Sequence, residues 1–287
     1  MGWAMIKNLG IMQGRLLPKY QGRYQAHPVG YWQGEFQIAS NLGLSLIEFI
    51  LDFDQSEKNP LLNQSGLEEI RKVSEQTGVQ VKTICADYLM EAPVHSECDW
   101  VAAESREMLC RLLKNASQIG VTDIIIPCVD KSALKTESQM LRFVKNIRSV
   151  RTVAEKLDIN LALETDLPPK KFLSLLETLD SGIFTVNYDT GNSAALNYDP
   201  AEELAVYGGR ISEVHLKDRV RGGNSVELGK GDVNFQKVFT TLAQTGFRGS
   251  FIMQAYRDEE GIQIFKQQLE WIIPVIDDWN RQSEEIL

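Results

Sequence analysis

A chain of 287 residues, 43% hydrophobic and 24% charged, has enough apolar surface for a sizeable core and the length of an undivided α/β barrel. Its formal net charge of −9 argues against the basic face with which proteins clamp a nucleic-acid backbone. Four cysteines, Cys85, Cys98, Cys110 and Cys128, lack CxxC spacing and secreted-domain density, so reduced thiols in a cytoplasmic protein are expected.

The N-terminal run MGWAMIKNLGIMQGRLLP has no basic leader followed by a long apolar stretch, and nowhere do about 20 apolar residues follow one another. Neither a signal peptide nor a membrane partner is expected, and a homo-oligomer is left open. Short apolar runs predict strands at 8–12, 45–50, 81–86, 123–128, 159–164, 183–188, 211–216 and 250–255. Amphipathic stretches lie between them. One opens on Ser65-Gly66-Leu67-Glu68 with capping-box spacing, another spans 102–120 and ends on Gly120 as a left-handed cap, and a third runs from Leu141 to Leu157. Eight alternations of strand and helix predict a (β/α)8 TIM barrel over residues 1–287, with an open doubly wound sheet as the competitor. A GxGxxG after the first strand and a Pro-, Gly- or Ser-rich linker are both missing, so one domain without a dinucleotide site is expected.

Two long connections follow strands one and seven, at 16–34 and 218–234. In a barrel such loops gather at the C-terminal face, where sites are built. Four late strands end in polar groups: Glu164, Asp189, His215 and Gln254. Period-two alternation turns these four inward and sends Leu161, Leu163, Tyr188, Val214, Leu216, Phe251 and Met253 outward. Each alone reads as a hydrogen-bonded interior group. Together, two carboxylates and an imidazole in one small volume call for a cation. Three oxygen donors and one nitrogen favour Mn²⁺, with Mg²⁺, Co²⁺ or Zn²⁺ also suited.

Glu164, YDTGN at 188–192, HLKD at 215–218 and LGKGDVNF at 228–235 resemble the xylose-isomerase-like sugar isomerase/epimerase superfamily. Its L-ribulose-5-phosphate and L-xylulose-5-phosphate 3-epimerase branch is the most similar part. That resemblance implies a TIM barrel, a small sugar or sugar-phosphate substrate, and one divalent metal held by Glu, Asp, His and Glu, here Glu164, Asp189, His215 and Gln254. It also makes Glu164 and Gln254 the catalytic positions, where two carboxylates exchange protons with opposite faces of one carbon. Gln254 breaks that pattern, because an amide donates oxygen to a cation but cannot exchange a proton near neutral pH. Three readings follow: a one-base isomerase, an epimerase whose second acid or base is Glu48, Asp166, Glu213 or Cys85, or a barrel that binds sugar without turnover. A dehydratase on a cyclic polyol ketone begins with the same step. An abasic-site endonuclease is disfavoured, since the chain has three histidines.

For substrate, the resemblance points to Glu48, Asn192 and Arg221, and the residues add Arg15 and Lys217. Arg15 after the first strand reads equally as a loop anchor. A phosphate would be met by Lys217, Arg219, Arg221 or Lys230, with backbone N–H groups around Gly229 and Gly231 as an anion nest. Tyr20, Tyr24, Tyr31 and Trp32 are candidate sugar-stacking rings, Trp32 reading more strongly as core.

Overall fold

The structure, a computed structural model, describes residues 6–285. Eight parallel strands form its centre: β1 (Ile6–Met12), β2 (Leu44–Ile50), β3 (Thr83–Cys85), β4 (Asp123–Cys128), β5 (Asn160–Thr165), β6 (Phe184–Asp189), β7 (Ile211–Leu216) and β8 (Ser250–Met253). Each pairs with the next and β8 closes on β1, so the barrel has no open strand edge among the described residues. Around them run α1 (Gln33–Asn41), α2 (Gln64–Thr77), α3 (Tyr88–Glu91), α4 (Asp99–Ala116), α5 (Glu137–Arg148), α6 (Arg151–Leu157), α7 (Pro169–Leu179), α8 (Thr190–Ala195), α9 (Pro200–Tyr207), α10 (Phe235–Gln244) and α11 (Ile262–Glu285). No described helix is long and apolar enough to cross a membrane.

Alternation sorts the strand residues into two cores. Leu161, Leu163, Val214, Leu216, Phe251 and Met253 pack outward against the helices. Met12, Leu46, Ile50, Cys85, Ile125, Ala162 and Ile252 fill the barrel from within. Truncating a fully buried member such as Leu161 to Ala is worth about 2–5 kcal/mol in lost burial and cavity. The inner plug draws on β1–β5 and β8 but takes nothing from β6 or β7, whose inward positions include Asn187, Glu213 and His215, all buried.

Several boundaries differ from the sequence expectation, for local reasons. The cap of α2 is Asn63, whose side chain accepts from the Gly66 N–H (2.8 Å), while Ser65 is exposed and donates its hydroxyl to Asn63. The helix expected at 141–157 is two, because the Ser149 hydroxyl takes the Asn146 carbonyl (2.6 Å) at the end of α5. The capping box lies at Thr136 and Gln139 instead. Gly120 is left-handed at the end of the α4 segment, as its position implied. β3 is confined to Thr83–Cys85, and β8 stops at Met253 because the Gln254 N–H turns back to the Ile252 carbonyl (3.0 Å). All four cysteines are free.

Candidate active site

The C-terminal ends of the strands open on a cavity of about 450 Å³. Glu164, Asn192, Lys217 and Gln254 line it from the β5–β8 side, and Arg15, Gln25, Cys85 and Asp87 from the β1–β3 side.

Beneath it, β5, β6 and β7 bring three of the four expected ligands together. One donor atom each from Glu164, Asp189 and His215 lies within 4.8 Å of the others. Register explains this: Asp189 is opposite His215, and His215 opposite Ile252. Asn187, one inward position below Asp189, presents its Nδ2 at 3.0 Å from both Glu164 Oε2 and His215 Nδ1. Asn192 donates to Glu164 Oε1 (2.6 Å), while its own N–H caps onto Asp189 Oδ1 (2.8 Å). Burial and the adjoining Asp189 carboxylate push Glu164 up to about 7. A carboxylate so placed gains from any cation that enters.

His215 faces a second acid pair on its other side. Its Nε2 is 2.9 Å from Glu48 Oε1 and 3.3 Å from Glu213 Oε1, all three side chains being fully buried. Burial favours a neutral ring, but Glu48 and Glu213 outweigh it and hold the imidazole proton well above the usual range. Glu213 is pushed well up by burial and by Glu48. Burial raises Glu48 too, but His215 overrides it and holds that carboxylate down, ionised. The two carboxylates lie within ion-pair distance of Nε2 without an aligned hydrogen bond to it, and Nδ1, beside Asn187 and Glu164, is the nitrogen that would give up its proton to take a metal. The residues therefore fit a divalent cation of the oxygen-and-imidazole type. Glu48 does not contact the cavity, contrary to the expectation of a substrate role. Neither it nor Glu213 is among the residues that line the cavity.

Gln254 occupies the eighth-strand position with both ends of its amide hydrogen-bonded. Lys217 Nζ donates to its Oε1 (3.1 Å) and approaches Asp189 Oδ2 (3.4 Å), so one ammonium bridges two expected ligands. An incoming ion must share or displace that ammonium. Gln254 Nε2 donates to Gln25 Oε1 (3.0 Å), which also accepts from Arg15 (3.0 Å). Arg15 is both anchor and wall. Its guanidinium donates to the Ala255 and Tyr24 carbonyls, tying the β1 and β8 loops together, and burial lowers it to about 10.

Other expectations are redistributed. Arg221 is exposed and does not reach the cavity; Arg219 does, donating to Asn192 Oδ1 (2.8 Å). The proposed nest is already filled: Asp218 Oδ2 accepts from the Gly229 and Gly231 N–H groups (2.9 Å each) and Oδ1 from Val233 (3.2 Å). A side chain at Gly231 would collide with that carboxylate. Lys230 is exposed and pairs with Glu227. Of the aromatic candidates only Tyr24 lines the cavity; Trp32 packs on Phe36 and Phe49 in the core. Asp166 is absent from the cavity wall and accepts from the Asp130 N–H (3.2 Å). Sequence reasoning missed Asn187, Gln25 and Asp87 as site residues, and offered Arg219 only as one of four phosphate contacts. Alternation from Asp189 could have found Asn187; the rest depend on loop paths.

The family model described as a xylose isomerase-like TIM barrel matches residues 36–275. The L-ribulose-5-phosphate 3-epimerase UlaE of Escherichia coli (strain K12) is 28% identical over 244 residues, 82% of this chain and 86% of the relative. A solved L-ribulose 3-epimerase superposes with a TM-score of 0.74 at 17% identity, covering 97% of this chain and 97% of its own. A xylose isomerase-like TIM barrel protein from Mycobacterium smegmatis, in complex with magnesium, gives 0.70 at 17%, covering 96% of this chain and 97% of its own. At those identities the structural likenesses speak for the fold alone.

Proposed function

We propose, from the premise that this chain belongs to the xylose isomerase-like TIM barrel family, that it is a metal-dependent epimerase of a ketose or ketose phosphate. The observation that carries this reading is the convergence of Glu164, Asp189 and His215 beneath an open polar cavity. Glu164, Asp189, His215 and the Gln254 amide oxygen would hold the ion, with Mn²⁺ favoured. When bound, such an ion polarises a carbonyl and offsets the negative charge that develops on its oxygen.

The chain's own residues do the rest. Glu164, ionised and oriented by Asn187 and Asn192, takes the proton beside the carbonyl. Lys217 and Arg219 line the cavity; Arg219 is held by the neutral Gly223 carbonyl and the Asn192 amide, so its charge is available to a phosphate or to hydroxyls. The acidic surface disfavours nucleic acid as substrate, and a cytoplasmic setting suits the four free thiols.

The test is incubation with Mn²⁺ and either L-ribulose 5-phosphate or L-ribulose in D₂O. The expected result is deuterium at the carbon beside the carbonyl together with inversion there. Binding of either ketose without deuterium uptake would instead make the chain a sugar-binding barrel, the reading that Gln254 taken alone favours.

A further inference from the structure

Inversion needs a proton taken from one face of a carbon and another given to the opposite face, and Gln254 cannot give one. Of the four substitutes weighed from sequence, Glu48 and Glu213 lie outside the cavity wall, as does Asp166. Cys85 does line the cavity, but burial and the nearby Asp87 and Glu48 charges raise its thiol well above the ordinary range, and Sγ donates to Asp87 Oδ1 (3.2 Å).

Six carboxyl groups line the cavity: Asp52, Asp54, Asp87, Glu91, Asp130 and Glu164. Asp52 is paired with Arg23 (2.8 Å) and Glu91 with Lys131 (2.6 Å), while Asp54 and Asp130 are exposed. Asp87 differs from all of these. It is half-buried and, among the described residues, has no ion-pair partner. It stands at the N-cap position of α3 yet makes no side-chain cap there. Its carboxyl turns instead to the cavity, where Gln25 Nε2 donates to Oδ2 (2.8 Å) and the Cys85 thiol to Oδ1. Both partners are neutral, and burial raises this carboxyl above its ordinary value against the lowering effect of the hydrogen bonds from Gln25 and Cys85.

Its position suits the task. Cys85 pairs with Ile125, and Ile125 with Ala162. Glu164 and Asp87 each stand two residues beyond that layer, on either side of β4. Strands two apart are separated by roughly 9–10 Å at the backbone, and inward side chains leave room for one sugar carbon between two carboxyl groups at hydrogen-bond reach. Gln25 joins the two halves, since its Oε1 accepts from Gln254 and its Nε2 donates to Asp87.

We propose that Asp87 is the second acid/base of the reaction, so that the carboxyl missing from strand eight is supplied by the loop after β3. This rests on the epimerase reading above. In the forward sense Glu164 removes the proton beside the carbonyl. The C–H pair becomes the C=C of an enediolate, and the carbonyl π pair moves to oxygen. Asp87 then delivers its proton to the other face; its O–H bond breaks, a new C–H bond forms, and the oxygen pair restores C=O. Glu164 ends protonated and Asp87 ionised, and exchange with water through the open cavity resets both. The reverse reaction exchanges their roles.

The experiment follows L-ribulose 5-phosphate and L-ribulose by NMR in D₂O with the full chain supplied with Mn²⁺. Asp87→Asn should lower inversion by at least about 100-fold, while deuterium uptake into the unchanged ketose stays within about threefold, because Glu164 still removes and returns a proton on its own face. Asp87→Ala should give the same split without an amide against Gln25, and thermal melts establish that both variants fold. Inversion persisting in either folded variant overturns the proposal. So does equal loss of inversion and exchange, which would make Asp87 a positioning residue. Neither exchange nor inversion in the unaltered protein overturns the parent reading, and this one with it.

Discussion

The two sides of the cavity mouth are built on opposite electrostatic principles. The β5–β7 side gathers Glu164, Asp189 and His215 over Glu48 and Glu213, buried groups whose charges are tolerable only with protons or a cation among them. The side formed by the β8, β1 and β3 ends is a run of largely neutral partners, Gln254 to Gln25 to Asp87 to Cys85, each satisfied by the next. Metal binding and proton return are thereby separable. A substitution among Glu164, Asp189 and His215 should remove the ion and with it all chemistry, whereas one at Asp87, which is not a proposed ligand, should spare the ion and alter only which face receives the proton.

The largest effects should fall on the charged side. Asp189→Ala and His215→Ala should each weaken Mn²⁺ binding by more than about 100-fold, beyond the 10–100-fold of a supporting residue. Isothermal titration checks this, and a stoichiometry near one in both variants would remove the distinction between the sides. Glu164→Gln should cut solvent exchange by about 10²–10⁴-fold, measured in the D₂O assay. Glu213→Gln, two residues back on β7, should weaken Mn²⁺ by about 10–100-fold through the His215 Nε2 contact, while Gln25→Leu should leave the affinity unchanged.

Proton linkage gives the next effect. Glu164 sits at about 7, so below that pH its protonated form dominates and must lose a proton before it can ligate. Mn²⁺ affinity should therefore fall as pH drops below 7, by up to about tenfold per unit for the Glu164 proton, while the raised His215 proton keeps affinity rising at higher pH. An affinity constant from pH 5.5 to 7.5 would contradict the raised carboxyl. The smallest effect belongs to Arg221→Ala, which should change turnover by less than about twofold because its side chain is exposed. Arg219→Ala should raise KM more for a phosphorylated ketose than for the free sugar, a comparison that locates the phosphate end.

Much of the charged side was legible in the sequence. Strand period fixes which residues face inward, and consecutive parallel strands bring Glu164, Asp189 and His215 to similar heights; the chain itself encodes both facts. Glu48 shows the limit of that logic. Its inward direction was readable, but its depth depends on register between strands, and the structure puts it against His215 Nε2 rather than a ligand. The glycine nest failed for a related reason, since only the folded loop reveals that Asp218 fills it.

By itself the sequence determined the eight-fold alternation of strand and helix, the inner and outer faces of the strands, and the acid-rich character of strands five to seven, because those are set by local periodicity and residue type. Only the tertiary structure decided that Lys217 bridges Asp189 and Gln254, that Arg219 rather than Arg221 reaches the cavity, and that Gln25 carries the amide run across to Asp87. Those contacts join residues 27 to 229 positions apart. They follow from the paths of long loops over the barrel mouth, where no short-range period constrains the chain.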